Sequence, residues 1–478
     1  MLRSLFQGLL LSSGALAASP DFQALFAPSL SPGVEIASSS DANFKQVASP
    51  RWSVWHAPTF EAAIKPKTEE DVQNIVKIAG QNNISFLATL NGHSSNLLYS
   101  NLQNALNINL ANFNSVTVDP VTNRMTVGGG VTFGNISDPL AEAGKEMQTG
   151  NAVCVGLVGA TIGGGIGTLQ GLRGLVLDAL ESVRMVTAAG EIVTASNKEN
   201  PELFWAIRGA GANFGIIVSA TYSVYDWTNQ GRVTLANFGF HPSANRSVWE
   251  LLKSYDDYIP QKLALIPSIT YNRTINETNI GFGLVYYGTQ REAQPYLDQL
   301  AALNPATSTV QNITTAEMHE IFSRGACDAG YRRNVFTIGL RKTDPTTYER
   351  TLSDLTEFYE TYPDYSGSFA IQRYSNEAML QVPDESTSYP WRDIGAYMLF
   401  DNDYTDPALD DIVENFSRGI RSRFEAVSGF KEPQVYLNYD HGDEPLTQTF
   451  GASKLPKLRA LKKQWDPLYR FGYANPIY

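Results

Sequence analysis

The sequence predicts an α+β chain of more than one domain, and three observations carry that reading. At 478 residues the chain is too long for a single small core, and at ~150 residues per domain it divides into two or three. Its first half alternates short β-type runs with helical patterns and is punctuated by glycine. Its second half sets longer strand-like runs between amphipathic helical ones, the pattern of a large antiparallel sheet covered by helices.

Met1 to Ala18 carries Arg3, an apolar stretch around Leu9–Leu11 and the small-residue pattern Ala15-Leu16-Ala17. This predicts a secretory signal peptide over 1–18, too short to serve as a membrane anchor. Sequons at Asn83, Asn135, Asn245, Asn272, Asn276, Asn312 and Asn415 predict N-glycans on an exported chain. Residues 19–50, rich in Ser, Ala and Pro, read as an N-terminal arm. A first domain follows over 51–227. Ala62-Ala-Ile-Lys-Pro66 is strand-like, Thr68 is an N-cap ahead of Glu69-Glu-Asp71, and Val72, Ile75, Val76, Ile78 and Ala79 form the helix's apolar face. Ile84–Ala88 is the next strand, so the domain opens β-α-β. Beyond Gly128, β-type runs at Met125–Val127, Ile192–Val193 and Ile216–Val224 alternate with helical pieces at Ile136–Ala143 and Pro201–Ile207.

The second domain, 228–430, has strand patterns at Val233–Phe240, Leu265–Tyr271, Ile280–Tyr287, Asn334–Leu340 and Gly367–Tyr374. Helical patterns lie at Ser247–Tyr258, Arg291–Leu303, Thr315–Phe322 and Thr347–Thr361. A last segment, 431–478, holds a Tyr-rich strand pattern and a helix over Lys454–Lys463.

Composition narrows the function classes. A net charge of −12 argues against nucleic-acid binding, which needs clustered Lys and Arg. Two cysteines, Cys154 and Cys327, exclude a disulfide scaffold and a thiolate zinc cluster, and no metal site is expected. Whether the two pair is left open by the sequence; a free Cys154 would be a small buried hydrophobe.

Four segments carry chemistry. Leu87-Ala-Thr-Leu-Asn-Gly-His-Ser-Ser95 runs a strand into a turn at Asn91-Gly92, residues that tolerate positive φ, and successive amides in such a turn can converge on an anion. Gly150 to Gly167 is dense in glycine, including Gly163-Gly164-Gly165, which suits close backbone approach to a flat or phosphorylated ligand. It is neither a Walker loop nor a clean dinucleotide fingerprint. Arg208-Gly-Ala-Gly211 leads into the β-branched Ile216-Ile217-Val218. In Val435-Tyr-Leu-Asn-Tyr439, read as a strand, Tyr436 and Asn438 share one face and Tyr439 takes the other.

In this order the segments resemble flavoprotein oxidases of the vanillyl-alcohol oxidase type, specifically the berberine-bridge-enzyme-like branch and its secreted fungal members. The resemblance runs from about Trp52 to Ile477. It includes Ile64-Lys-Pro-Lys-Thr-Glu-Glu-Asp-Val72, Gly174-Leu-Val-Leu-Asp178, Glu202-Leu-Phe-Trp-Ala-Ile-Arg-Gly-Ala-Gly211 and Lys463-Gln-Trp-Asp-Pro467. It implies a two-part PCMH-type FAD-binding domain over 51–227, a substrate domain over 228–430, and a berberine-bridge-type segment over 431–478 that returns to the FAD domain.

The resemblance also implies a cofactor site. FAD would be bonded through its 8α-methyl to His93, with Thr89, Leu90, Asn91, Gly92 and Ser94 holding the pyrophosphate. Asn91 replaces the family's usual first Gly, at a position expected to have positive φ. Gly150, Val155, Gly156, Gly159, Gly163 and Gly165 would line the ring and ribityl chain, Ile217 and Val218 would lie near the adenine, and Asn438 would face the ring. Some relatives bond a second time through a Cys. That position here is Ala152, and Cys154, two residues on, is displaced by ~6.6 Å along a strand, so a single link is expected. Tyr439 would act at the reacting group of the substrate, with Gln372 and Tyr374 beside it. A phenol has a pKa near ~10, so its use as a base calls for neighbouring donors or positive charge.

The reading is a secreted FAD oxidase. A small-molecule substrate, such as a secondary-metabolite alcohol or the precursor of an oxidative cyclisation, gives up a hydride, and O2 is reduced to H2O2. The alternatives are a carbohydrate oxidase, a flavin-bearing non-redox cyclase and a non-enzymatic secreted glycoprotein.

Overall fold

A computed structural model describes residues 20–478; the predicted signal peptide lies outside the described residues. Segment 20–50 packs against the first domain. Asp21 caps a helix over Phe22–Phe26 that buries both phenylalanines, and the strand Glu35–Ser38 joins the first sheet. That sheet runs in the order Glu35–Ser38, Phe60–Lys65, Ala105–Asn109, Phe86–Thr89, antiparallel at its first pair and parallel at the others. The helix Glu69–Gln81 covers it with Val72, Ile75, Val76 and Ala79. It starts at Thr68, whose hydroxyl accepts the Asp71 amide while the Asp71 carboxylate accepts the Thr68 amide. Asp71 also accepts the Ser31 and Lys67 amides, which tie the N-terminal segment to the helix start.

A five-stranded antiparallel sheet follows, in the order Val116–Asp119, Arg124–Gly128, Ile216–Ser223, Leu180–Val186, Ile192–Ser196. The helices Phe133–Glu142 and Pro201–Ala210 contribute to its core. So does the C-terminal helix Leu455–Trp465, through Leu455, Leu458 and Leu461; Ile477 joins the same cluster. The buried Lys462 fastens this return by donating to the Asn213 carbonyl (2.8 Å) and to Asp466 (2.6 Å).

The third sheet has seven antiparallel strands: Thr307–Thr314, Arg232–Phe240, Glu277–Tyr286, Leu263–Asn272, Ser368–Tyr374, Ala396–Tyr404 and Arg332–Leu340, in that spatial order. Because strand side chains alternate, Phe369, Ile371, Met398 and Phe400 face the helices Asn245–Lys253, Gln290–Ala301, Pro345–Thr361 and Asp410–Val427. Tyr374 and Tyr397 point to the other side, where they meet Ile166, Leu169 and Tyr436. The face that carries Tyr374 is thus the one set against the glycine-rich segment. The Tyr436–Tyr439 motif is not a strand: Leu437–Tyr439 forms a 3-10 turn, so the expected alternation of faces does not apply there.

Candidate active site

The strand Phe86–Thr89 delivers the Gly-His-Ser turn. Gly92 has φ +50°, and a Cβ there would lie 2.9 Å from the Pro50 carbonyl, so glycine is required. Asn91 is not in the left-handed region, contrary to expectation; its amide instead donates to the Cys154 carbonyl (2.8 Å) and ties this turn to the glycine-rich segment. Thr89 accepts from Asn107 (2.9 Å), Ser94 Oγ accepts the Asn96 amide (3.2 Å), and Leu90 lies beside Gly156. Among the described residues, no protein acceptor takes the amides of Gly92, His93 and Ser94. Three consecutive free donors form a cradle for an anion.

The His93 ring stacks on Trp52 at 4.5 Å and 15°, and its Nε2 is 3.6 Å from Cys154 Sγ. Burial, reinforced by the positive charges of Arg333 and Arg51, pulls its pKa down to about 4. The imidazole is therefore neutral across the physiological range. Cys154 is not free: it is bonded to Cys327, 173 residues away, which joins the glycine-rich segment to a loop of the second domain.

The glycines of that segment divide into two kinds. Gly159 has open space where a Cβ would go, and Gly156 meets only the tip of Leu90, so backbone is accessible at both. Gly150, Gly163 and Gly165, expected to line the ring and ribityl chain, have protein atoms on the side where a Cβ would stand. A Cβ would strike the Phe133 ring at Gly150, Asn438 at Gly163 and Val176 at Gly165, so these glycines admit protein atoms. Val155 packs on the core of the five-stranded unit. Ile217 and Val218 belong to different cores, one on each side of their strand.

The last motif closes on the same segment. Tyr436 Oη accepts the Gly165 amide (3.0 Å), the Ile166 amide (3.2 Å) and Asn438 Nδ2 (2.8 Å). Asn438 Nδ2 also donates to the Ala160 carbonyl (2.8 Å), so Asn438 clamps the glycine-rich turn, a role not expected for it. Tyr439 Oη donates to Gln372 Oε1 (3.2 Å), and Asn151 donates to Tyr374 Oη (3.0 Å). The structure thus brings together the three residues expected at the reacting group. It differs on the charge: burial, with Tyr374 and Tyr436 nearby, pushes the Tyr439 pKa up, so the phenol is a proton donor in this state.

Sequence reasoning missed several neighbours. Asp401, opposite Ser368 on the adjoining strand, has a buried Oδ1 without a hydrogen-bond partner. Burial, opposed by Arg333, raises its pKa to about 7, and its charge is felt at Tyr439. Trp52, Arg51, Arg333 and His319 were missed as well. Nothing local marks them; Arg333 and Asp401 lie in strands whose other residues are mostly core. The residues fit a flavin cofactor: the free amide cradle, the open Gly156–Gly159 backbone, and unpartnered buried oxygens on Gln148 and Asn151 leave polar groups for a bound molecule to satisfy.

These features suit a protein that holds a bound cofactor, and comparison with known proteins gives its class. A family profile for an FAD binding domain matches residues 60–196, and one described as berberine and berberine like matches 435–478. The chain is 45% identical to the FAD-linked oxidoreductase azaL of Aspergillus niger, over 96% of this chain and 100% of that protein. Its fold matches Physcomitrella patens BBE-like 1 (TM-score 0.83, 20% identity, 95% and 98% coverage). It also matches glucooligosaccharide oxidase from Acremonium strictum, described with a 6-S-cysteinyl, 8α-N1-histidyl FAD (TM-score 0.83, 18% identity, 95% and 98% coverage). The protein is an FAD-dependent oxidoreductase. The chain belongs to the berberine-bridge-enzyme-like FAD-linked oxidoreductases.

Proposed function

We propose that the protein is a secreted oxidase whose FAD is bonded once, through His93, and which oxidises a small secondary metabolite at an alcohol or ring-forming carbon. When bound, FAD would accept a hydride from the substrate and pass the electrons to dioxygen, giving hydrogen peroxide. The observation that carries the reading is a neutral imidazole on a turn of unsatisfied amides, at the junction of the FAD domain and the large sheet. The Cys154 sulfur is committed to Cys327 and Ala152 has no thiol, which supports a single link.

At the substrate end, Tyr439 is held by Gln372 and would hydrogen-bond the substrate's oxygen. Its elevated pKa makes it a poor base alone, so the proton needs a further acceptor, and Asp401 is the carboxyl electrostatically linked to it. The disulfide fits an oxidising compartment and so supports export. Asn83, Asn272 and Asn276 are exposed and suit glycosylation, whereas the Asn245 side chain already accepts from Trp249 Nε1. Anaerobic mixing of aromatic and aliphatic alcohols, glucose and cello-oligosaccharides with the purified protein tests the function. Bleaching of flavin absorbance by an alcohol, with peroxide formed on readmitting air, is expected. Bleaching by sugars alone would make it a carbohydrate oxidase.

A further inference from the structure

The residues around His93 come from three distant parts of the chain. Trp52 is nearly buried (7% exposed), donates its indole N–H to the Ala326 carbonyl (2.8 Å) and its amide to the Gly92 carbonyl (3.3 Å). Its ring therefore has a fixed plane, and the His93 ring lies almost parallel to it. The Ala326 carbonyl also acts on the imidazole itself. Arg333, 2% exposed, lies 4.8 Å over the Trp52 ring and pairs with Asp403 at 3.0 Å. Its guanidinium donates to the Asp328 and Gly325 carbonyls and so shapes the loop 325–328. Cys327, in the same loop, is bonded to Cys154 beside the imidazole. Ser53 locks the two ends together: its hydroxyl donates to the Arg333 carbonyl (2.6 Å) and accepts the Arg333 amide (3.1 Å).

We propose that this bracket, Trp52 with the disulfide-fastened loop 325–328, is the device that orients His93 for bonding to the cofactor. The inference rests on the His93 attachment proposed above and adds that the second domain helps to build the nucleophile. A ring nitrogen attacks productively only when its lone pair is aimed. Histidine orientation is commonly set by a partner on the other nitrogen; here a stacked indole and one shared carbonyl do that work. In the bonding step an N–C bond would form between the imidazole nitrogen that bears the lone pair and the methyl carbon; the methyl carbon and the ring's other nitrogen each give up one proton. The two electrons left on the cofactor go to dioxygen, which takes up two protons to become hydrogen peroxide. Trp52 is a positioning residue in this step and touches no reacting atom.

The test compares the wild type with Trp52→Ala, Trp52→Phe, the double variant Cys154→Ser/Cys327→Ser, and His93→Ala, each purified from a secreting host. Total flavin per chain is read from native absorbance, and the covalent fraction from flavin fluorescence after denaturing electrophoresis. Trp52→Ala should retain total flavin but lose about tenfold in covalent fraction at early times after synthesis. Trp52→Phe should restore most of it, because a flat ring can still stack. The double cysteine variant should also form the bond slowly. Wild-type covalent fractions in both Trp52→Ala and the cysteine variant would overturn the bracket. So would a Trp52→Ala loss that Trp52→Phe does not rescue, because that marks a packing defect. If His93→Ala keeps its covalent pigment, the attachment reading fails instead.

Discussion

His93 and Asp401 are both displaced from their ordinary pKa values by burial, but the consequences differ. For His93, loss of water and two nearby guanidinium groups disfavour the cation, and the pKa falls to about 4. The nucleophilic neutral ring therefore persists as pH falls through 6.5, where a free histidine would be half protonated. Covalent attachment measured at pH 5.5 should thus match that at pH 7.5, and a sharp loss near pH 6.5 would contradict it. For Asp401 the displaced form is the carboxylate, and the pKa rises to about 7. If Asp401 takes the proton released through Tyr439, flavin reduction should speed up as pH rises through about 7, and Asp401→Asn should flatten that limb. Tyr439→Phe should slow reduction by about 10²-fold or more while bound FAD is kept. Unchanged stopped-flow reduction would remove the tyrosine from the mechanism. At this scale motif and strand spacing single out His93, Tyr439, Gln372 and Tyr374 in the sequence, and the structure brings the last three together. Trp52, Arg333 and Asp401 were silent, because their importance lies in tertiary contacts, which for Trp52 and Arg333 span more than 270 residues.

Elements were legible where a local rule sets them. The Thr68 cap, with Asp71 three residues on, fixes the start of Glu69–Gln81, and the structure shows the reciprocal bonds. Thr68→Ala should lower stability by about 1 kcal/mol in urea unfolding monitored by far-UV dichroism. Helix Thr315–Phe322 has a similar box, with Thr314 and Glu317. Elements failed to show where the pattern is atypical. Thr307–Thr314 is an exposed edge strand made largely of Thr, Ser, Gln and Asn, so it lacks the apolar alternation that signals a strand. Tyr436 to Tyr439 has strand composition, yet folds into a turn. There the Tyr436 hydroxyl reaches the Gly165 and Ile166 amides and Asn438 reaches the Ala160 carbonyl, and these tertiary bonds override the local preference. The glycine run was visible as a departure from ordinary composition, but only packing separates the glycines that admit Asn438 and Val176 from those that leave backbone open.

For the whole molecule, the decisive feature is that the site is assembled from two sheets, the glycine-rich segment and the C-terminal turn, and closed by contacts distant in sequence. The Cys154–Cys327 bond closes a span of 173 residues, and chain entropy for such a loop corresponds to about 5 kcal/mol of stabilisation. Cys154→Ser/Cys327→Ser should therefore melt several degrees lower than the wild type, and an unchanged calorimetric melting temperature would show that the bond adds nothing. The α+β class and the large sheet could be read from periodicity. The pairing of the two cysteines could not, because distance in space is not written in spacing along the chain. The same assembly makes His93 the point on which the functional account turns. The most direct measurement is flavin fluorescence of the denatured chain on a gel, wild type beside His93→Ala. The account predicts a fluorescent band for the wild type and none for the variant. Pigment that stays bonded to the variant, or a wild-type chain that releases all of its flavin, would contradict it.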